Sequence, residues 1–431
     1  MPIVMIRIAA AALLVAALPL RAERVRVVVA VDIPRVSIES VTTLRADVIT
    51  SIDSATDVVP WGGTRAFAAE IDEADLERLR RDPRVRAVSL DTGGRGALLE
   101  SVRIIGADKA HALGFDGRGV TVAVLDTGID VENPDFTGRI AGQQCFCDNL
   151  DGSGCCPNGD WAQTGPGAAR DDHGHGTHVS GIVAGGGANA PAGIAPRANI
   201  VAVKVMDANN SFRSFSQIYR ALEWIAEKRP DVKVINMSLG SHTLFTSDAC
   251  ETTAVGLGLS DIIDTLRDRG VLITASAGNE GSLTGTTMPA CMEDVLGIGA
   301  TYDSSGLKPT SCEAANTYVD GVACFSNASE GLDLVAPGAD IVASKRGGGW
   351  AKYAGTSMAA PHVAGTIALM QQASGGRLSS FELERILKIS ATVIMDTRTH
   401  MPVARVNAAS AVEMTPKAQI VPKTRRRSVR R

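Results

Sequence analysis

The chain is poor in aromatic residues: Phe, Trp and Tyr make up 4% of 431 residues, although apolar residues reach 45%. A core of this composition is built from Ala and Val, with Gly allowing close approach, which suits tightly packed layers of helix and sheet. Long apolar runs are missing after residue 20. That excludes a bilayer-spanning helix in the body of the chain. The one early run, Ile8 to Leu20, is too short to span comfortably; it follows Arg7 and leads to Ala22, a small residue suited to cleavage. Residues 1–22 therefore read as a secretory signal, and the expected location is extracellular or periplasmic.

Histidine is absent before residue 97, and acid is absent from residues 415–431. That tail holds Lys417, Lys423, Arg425, Arg426, Arg427, Arg430 and Arg431; without these seven charges the net −4 becomes −11. A body so acidic is not expected to bind nucleic acid. The tail reads as a solvated basic extension.

The length predicts two or three units. Residues 23–95 form a small α+β unit, with strands expected at 25–31, 67–71 and 85–90 and helices at 37–52 and after Asp72. No catalytic side chain stands out in it. Asp91-Thr92-Gly93-Gly94-Arg95-Gly96 is a Gly-rich link. From 96 to 414 short apolar strands alternate with helices. Strands are expected at 120–125, 200–206, 232–237, 271–275, 295–299 and 332–336. Helices are expected at 174–185, 213–228, 252–269, 356–373 and 379–389. This predicts an α/β fold with a mostly parallel sheet covered by helices on both faces. In such sheets functional residues gather at the carboxyl ends of strands, where Asp126 and Asn279 fall.

Gly355-Thr356-Ser357-Met358-Ala359-Ala360-Pro361-His362 leads into an apolar run, so Ser357 lies in the first turn of a buried helix. Alone, it reads as a helix cap. Free N–H groups at that turn would also stabilise an oxyanion formed by attack of its hydroxyl. A hydroxyl needs a base, and the base an orienting group. Asp126, His175 and Ser357 supply these in the chain order Asp, His, Ser. A rival reading is metal hydrolysis, because His173, His175 and His178 form a His-x-His-x-x-His spacing. It leaves Asp126, Asn279 and Ser357 without a role. A folded, inactive peptide binder is a further alternative.

Asp126-Thr127-Gly128, His175-Gly176-Thr177-His178, Ser238-Leu239-Gly240, Ala277-Gly278-Asn279 and the Ser357 stretch resemble the subtilisin-like serine peptidases over roughly residues 100–412. The resemblance implies a serine endopeptidase acting on proteins or peptides. Ser357 is then the nucleophile, His175 the base and Asp126 its orienting group. Asn279 becomes the oxyanion donor, and Ser238, Leu239 and Gly240 the edge that pairs with substrate. It also implies a self-removed propeptide over 23–95 that inhibits the enzyme. Thr287 falls where many relatives have glycine and would partly fill the pocket floor. Glu280 at the rim would welcome a basic side chain, so a broad preference is expected, with a narrow processing role as the alternative.

Eight cysteines fit an oxidising compartment. Cys155 and Cys156 each pair back to Cys145 or Cys147, with a four-cysteine zinc site as the rival. Cys312 is expected to pair with Cys324, and Cys250 with Cys291. No cofactor is needed for the chemistry. Many relatives bind calcium, but the loop after Gly185 carries no carboxylate and Asp135 alone does not restore that site. Calcium elsewhere is left open. Asn209, Asn236 and Asn327 match the glycosylation pattern.

Overall fold

The computed structural model describes residues 24–32, 38–60, 65–90, 98–307, 312 and 317–418. The signal segment, the Gly-rich link and the arginines of the tail lie outside these residues. The chain divides into two compact units, Met1–Gly94 and Arg95–Arg431.

In the first unit, alternation in Arg24–Val31 sends Val27, Val29 and Val31 into a core with Phe67, Ala69 and Ile71. That strand pairs antiparallel with Ala66–Asp72 on one side and Val85–Leu90 on the other. Thr56–Pro60, a strand the sequence did not announce, completes the four-stranded sheet. Helix Glu73–Arg81 buries Leu76 and Leu79. Asp72 stands before it as expected but does not cap it; its carboxylate meets Arg24 at 3.4 Å. The order is βαββαβ, a split-βαβ arrangement.

The second unit is built on a ten-stranded sheet. Its parallel part runs from Met401–Arg405 through Leu334–Ala339, Leu296–Tyr302, Leu272–Ser276, Val232–Met237, Thr121–Asp126 and Asn199–Lys204 to Ile140–Phe146. An antiparallel strand closes each edge, Thr392–Asp396 and Ala162–Thr164. The central strands are buried on both faces, which is why they read as continuous apolar runs. The edge strands are half-exposed and mixed in composition, and the sequence reading missed them. Helices His175–Ala184 and Thr356–Ser374 lie in one core cluster, and Phe215–Lys228 and Ala254–Asp268 in another.

Four disulfides are formed: the expected Cys250–Cys291 and Cys312–Cys324, and in the insert, where the pairing was open, Cys145–Cys156 and Cys147–Cys155. The last two staple the insert that follows strand Ile140–Phe146. Zinc ligation by those four sulfurs is thereby overturned. Of the three sequons, Asn209 is exposed, whereas Asn236 and Asn327 are fully buried and cannot carry a glycan.

Two imidazoles sit deep in this unit. His178 donates from Nε2 to the Ile341 and Ala351 carbonyls, both at 3.1 Å, and stacks on Tyr353. His362 donates from Nδ1 to the Met358 carbonyl at 2.8 Å and accepts from Ser101 at Nε2 at 2.9 Å. Burial disfavours their charged forms and pushes the pKa of His178 down to about 3 and of His362 to about 4. The unfolded chain takes up these protons near pH 6.5, so it binds more protons than the fold between there and pH 4. Stability should therefore fall as the pH drops through that window, by about 3 kcal/mol for His362 alone. Denaturant midpoints of inhibitor-blocked protein against pH would check this; His362→Asn should flatten the slope.

Candidate active site

Strand Thr121–Asp126 is buried along its whole length and delivers Asp126 to the carboxyl edge of the sheet. Its Oδ1 accepts the Thr127 N–H at 2.7 Å and the His175 Nδ1–H at 2.8 Å. An acceptor at Nδ1 fixes the tautomer and leaves Nε2 as the basic nitrogen. Burial lowers the pKa of His175, but the charge and hydrogen bond of Asp126, with the charge of Asp171, outweigh it and raise the pKa above the ordinary value.

His175 opens its helix after Gly174, whose φ of 114° lies in the left-handed region that glycine tolerates. The orphan N–H groups of that turn need an acceptor, and Asp171 supplies it. Its Oδ1 accepts from Thr127 Oγ1 (2.9 Å), His173 N (3.0 Å) and Gly174 N (2.8 Å); its Oδ2 accepts from Thr177 N (3.0 Å) and Thr177 Oγ1 (2.5 Å). Burial raises its pKa, yet these bonds dominate and hold it below the usual carboxylate range. Next to it, Asp172 receives the buried ammonium of Lys204 at 2.8 Å; Lys204 also donates to the Thr127 and Met206 carbonyls. All three donors of that ammonium are used. Thus Asp171 and Lys204 tie the turn after Asp126 to the turn before His175. The sequence reading named neither. An acidic pair just before a helix was the available signal for Asp171; a lysine ending an apolar strand gave none.

Ser357 is the half-buried second residue of helix Thr356–Ser374, which is otherwise almost wholly buried. Pro361 lies inside this helix and has no N–H for the carbonyl four residues back, which is that of Ser357. That carbonyl instead accepts from Ser238 Oγ at 2.8 Å, while Ser357 Oγ donates to the Ser238 carbonyl at 3.4 Å. Buried Asn236 donates to Ser238 Oγ at 2.9 Å. Asn279 follows strand Leu272–Ser276 and is exposed. Its Oδ1 accepts from Thr356 N at 2.8 Å and Thr356 Oγ1 at 3.1 Å. Two donors on one amide atom identify it as the oxygen, so the NH₂ faces the cleft.

A cavity of about 400 Å³ adjoins Ser357; Ser238, Leu239, Gly240, Asn279, Glu280 and Thr287 all line it. Thr287 wedges between two backbone walls. A Cβ built on Gly240 would lie 2.2 Å from Thr287 Oγ1, and one on Gly278 would lie 2.7 Å from its Cγ2. Its hydroxyl donates to the Ser276 carbonyl at 3.1 Å. Glu280 is exposed, but Oε2 already accepts from Asn327 at 2.6 Å. The rival metal reading would join His173 and His178 to His175, but His173 is exposed and accepts the His175 N–H at Nδ1, and His178 donates from Nε2 to carbonyls. Among the described residues no trio of His, Cys, Asp or Glu converges as a metal site.

Asp171→Asn tests the electrostatics of this arrangement. It removes a negative charge that raises the His175 pKa and sets an NH₂ group among five donors. In an NMR titration of the ring carbons, His175 should protonate at lower pH than in the parent. Denaturant stability should drop by about 1–3 kcal/mol, the cost of leaving buried donors unpaired.

The model of the subtilase family matches residues 117–414. Over 296 residues the chain is 36% identical to the thermophilic serine proteinase of Bacillus sp. (strain AK1), covering 68% of this chain and 62% of that protein. With subtilisin E of Bacillus subtilis (strain 168) it shares 33% identity over 312 residues, 71% of this chain and 70% of the relative. Among solved structures, a cold adapted subtilisin-like serine proteinase superposes with a TM-score of 0.52 at 29% identity, over 68% of this chain and 90% of that one. With the motifs, the sheet and the family model in agreement over the same residues, the chain belongs to the subtilase family of serine peptidases.

Proposed function

We propose that this peptidase hydrolyses peptide bonds of proteins through an acyl-enzyme on Ser357. The observation that carries the reading is the pairing of a buried Asp126–His175 hydrogen bond with Asn279, whose oxygen is held by Thr356 beside the nucleophile. Substrate adds as a strand along Ser238, Leu239 and Gly240. The Ser357 hydroxyl turns from the Ser238 carbonyl and attacks, giving its proton to His175 Nε2. The carbonyl oxygen takes the negative charge and accepts from Asn279 Nδ2 and the first-turn N–H of Ser357. His175 then protonates the leaving amine, and water, activated the same way, releases the acid. Asp126 keeps the imidazole oriented and stabilises its cation throughout.

A serine-directed fluorophosphonate should label Ser357 and abolish cleavage of denatured protein, whereas brief chelation should leave the rate unchanged. Loss of activity on chelation with Ser357 unlabelled would overturn the reading. The acid limb of kcat/KM should lie above the ordinary imidazole range, because the base must be neutral and its pKa is raised.

The wedged side chain of Thr287 favours substrates with a short side chain before the cut. Thr287→Gly should raise kcat/KM for a Phe peptide by about 10-fold or more relative to an Ala peptide, since each buried methylene is worth roughly 0.8 kcal/mol. An unchanged ratio would assign the preference elsewhere.

Secretion is supported by four disulfides among the described residues. One relative, the major intracellular serine protease of Bacillus subtilis (strain 168), carries the opposite location in its name, so the family alone does not decide. Residues 23–95 are proposed as a propeptide removed by the enzyme itself; Ser357→Ala should accumulate the longer chain in a host lacking other proteases. The bonding of Asp135 supports the expectation that the loop after Gly185 holds no calcium. Asp135 Oδ1 accepts from Ala188 N (2.7 Å) and Asn189 N (2.9 Å), and Oδ2 accepts from Ala190 N (3.2 Å) and Ser344 Oγ (2.8 Å). These donors already occupy both carboxylate oxygens that a cation would need as ligands.

A further inference from the structure

Asn327 is fully buried, and every polar group of its side chain is bonded to one loop. Oδ1 accepts from Glu280 N at 3.1 Å and Ser282 N at 2.9 Å. Nδ2 donates to the Ala277 carbonyl at 3.1 Å and to Glu280 Oε2 at 2.6 Å. Its own N–H donates to the Gly278 carbonyl at 3.1 Å. Neighbouring backbone bonds, Gly281 N to the Phe325 carbonyl and Ala328 N to the Ser282 carbonyl, both 2.8 Å, extend the seam. One side chain therefore fixes residues on both sides of Asn279, while Asn279 itself is left to Thr356.

Gly278 completes the device. Its φ is 103°, and a Cβ there would lie 2.4 Å from Asn327 Nδ2. Only glycine lets the amide approach so closely. Four bonds fill the four hydrogen-bonding sites used by a primary amide, so no isosteric side chain matches the pattern: aspartate has no donors, and leucine has neither donors nor acceptors.

We propose that Asn327 is a positioning residue that holds the Asn279 amide where the oxyanion forms. This rests on the reading of Asn279 as an oxyanion donor and deepens it. Thr356 sets the rotation of the Asn279 amide, and Asn327 sets the backbone that carries it. A loop free to shift by a fraction of an ångström would bind the ground-state carbonyl nearly as well but lose the developing charge. The effect therefore belongs in kcat.

The test is a double-mutant cycle on the full chain, with rates normalised to Ser357 titrated by a fluorophosphonate. Losing an oxyanion donor of this kind costs a subtilisin about 10²–10³ in kcat. Asn279→Ala should show a loss of that scale; if it shows none, the oxyanion reading itself fails. Asn327→Ala should lower kcat by about 10- to 100-fold, with KM within about twofold. It should weaken a peptide aldehyde by the same factor and a product peptide hardly at all. Added to Asn279→Ala, it should cost less than about threefold more, because it acts through that residue. Full additivity, or equal losses for aldehyde and product, would overturn the proposal. Should Asn327→Ala fold poorly, Asn327→Asp keeps the shape and places a carboxylate against Glu280 and the Ala277 carbonyl. Its kcat should fall, and Glu280→Gln in the same chain should restore part of it by supplying a donor. No recovery over Asn327→Asp alone would also overturn the proposal.

Discussion

The first turn of a helix has N–H groups without partners, and the site depends on how the turn at Thr356 uses them. Thr356 spends its N–H on Asn279 Oδ1, which turns the amide donors outward. Pro361 withholds a donor from the Ser357 carbonyl, and that carbonyl takes the hydroxyl of Ser238 instead. A residue that would normally weaken a helix here joins Ser357 to the segment of Ser238. Burial of the helix on nearly all sides keeps this turn from adjusting.

Loops around the site, and the loop after Gly185 at the far end of the helix that His175 opens, are held by single buried polar side chains in addition to apolar packing. Asp171 gathers the turn before His175, Lys204 joins it to the turn after Asp126, Asn327 gathers the loop around Asn279, and Asp135 gathers the loop after Gly185. Each bond adds only about 0.5–1.5 kcal/mol, but losing one partner leaves several buried groups unpaired, which costs more. Such loops have one low-energy arrangement. That is what a site needs when its donors must stand ready before charge develops.

The strands of the parallel core were legible because burial on both faces forces a plain apolar run, as in Thr121–Asp126 and Leu272–Ser276. Asp126, His175, Ser357 and Asn279 stood out because short motifs surround them; the structure pairs Asp126 with His175 and sets Ser357 and Asn279 on one cavity. The edge hairpin Thr392–Asp396 with Met401–Arg405 was not legible, since a half-exposed edge imposes no such pattern. Cysteine pairing was partly legible: adjacency disfavours a Cys155–Cys156 bond, but only the fold selects Cys145–Cys156 over Cys145–Cys155.

Asn236 and Asn327 show why the remaining residues were hidden. Both match a glycosylation pattern that encodes a solvent-exposed asparagine, and both are fully buried. Asn236 passes a hydrogen bond from Thr274 to Ser238, and Asn327 clamps the loop around Asn279. A primary amide carries donors and acceptors together, so it can close a loop whose free groups are of both kinds, which neither Asp nor Lys can do. Where the free groups are all donors, the chain uses Asp171 and Asp135; where they are all acceptors, it uses Lys204. The identity of each of these four residues, Asp135, Asp171, Lys204 and Asn327, follows from the polarity of the groups it faces. That polarity is set by segments far away in sequence, such as 277–282 for Asn327, so it becomes readable only once the sheet has brought them together.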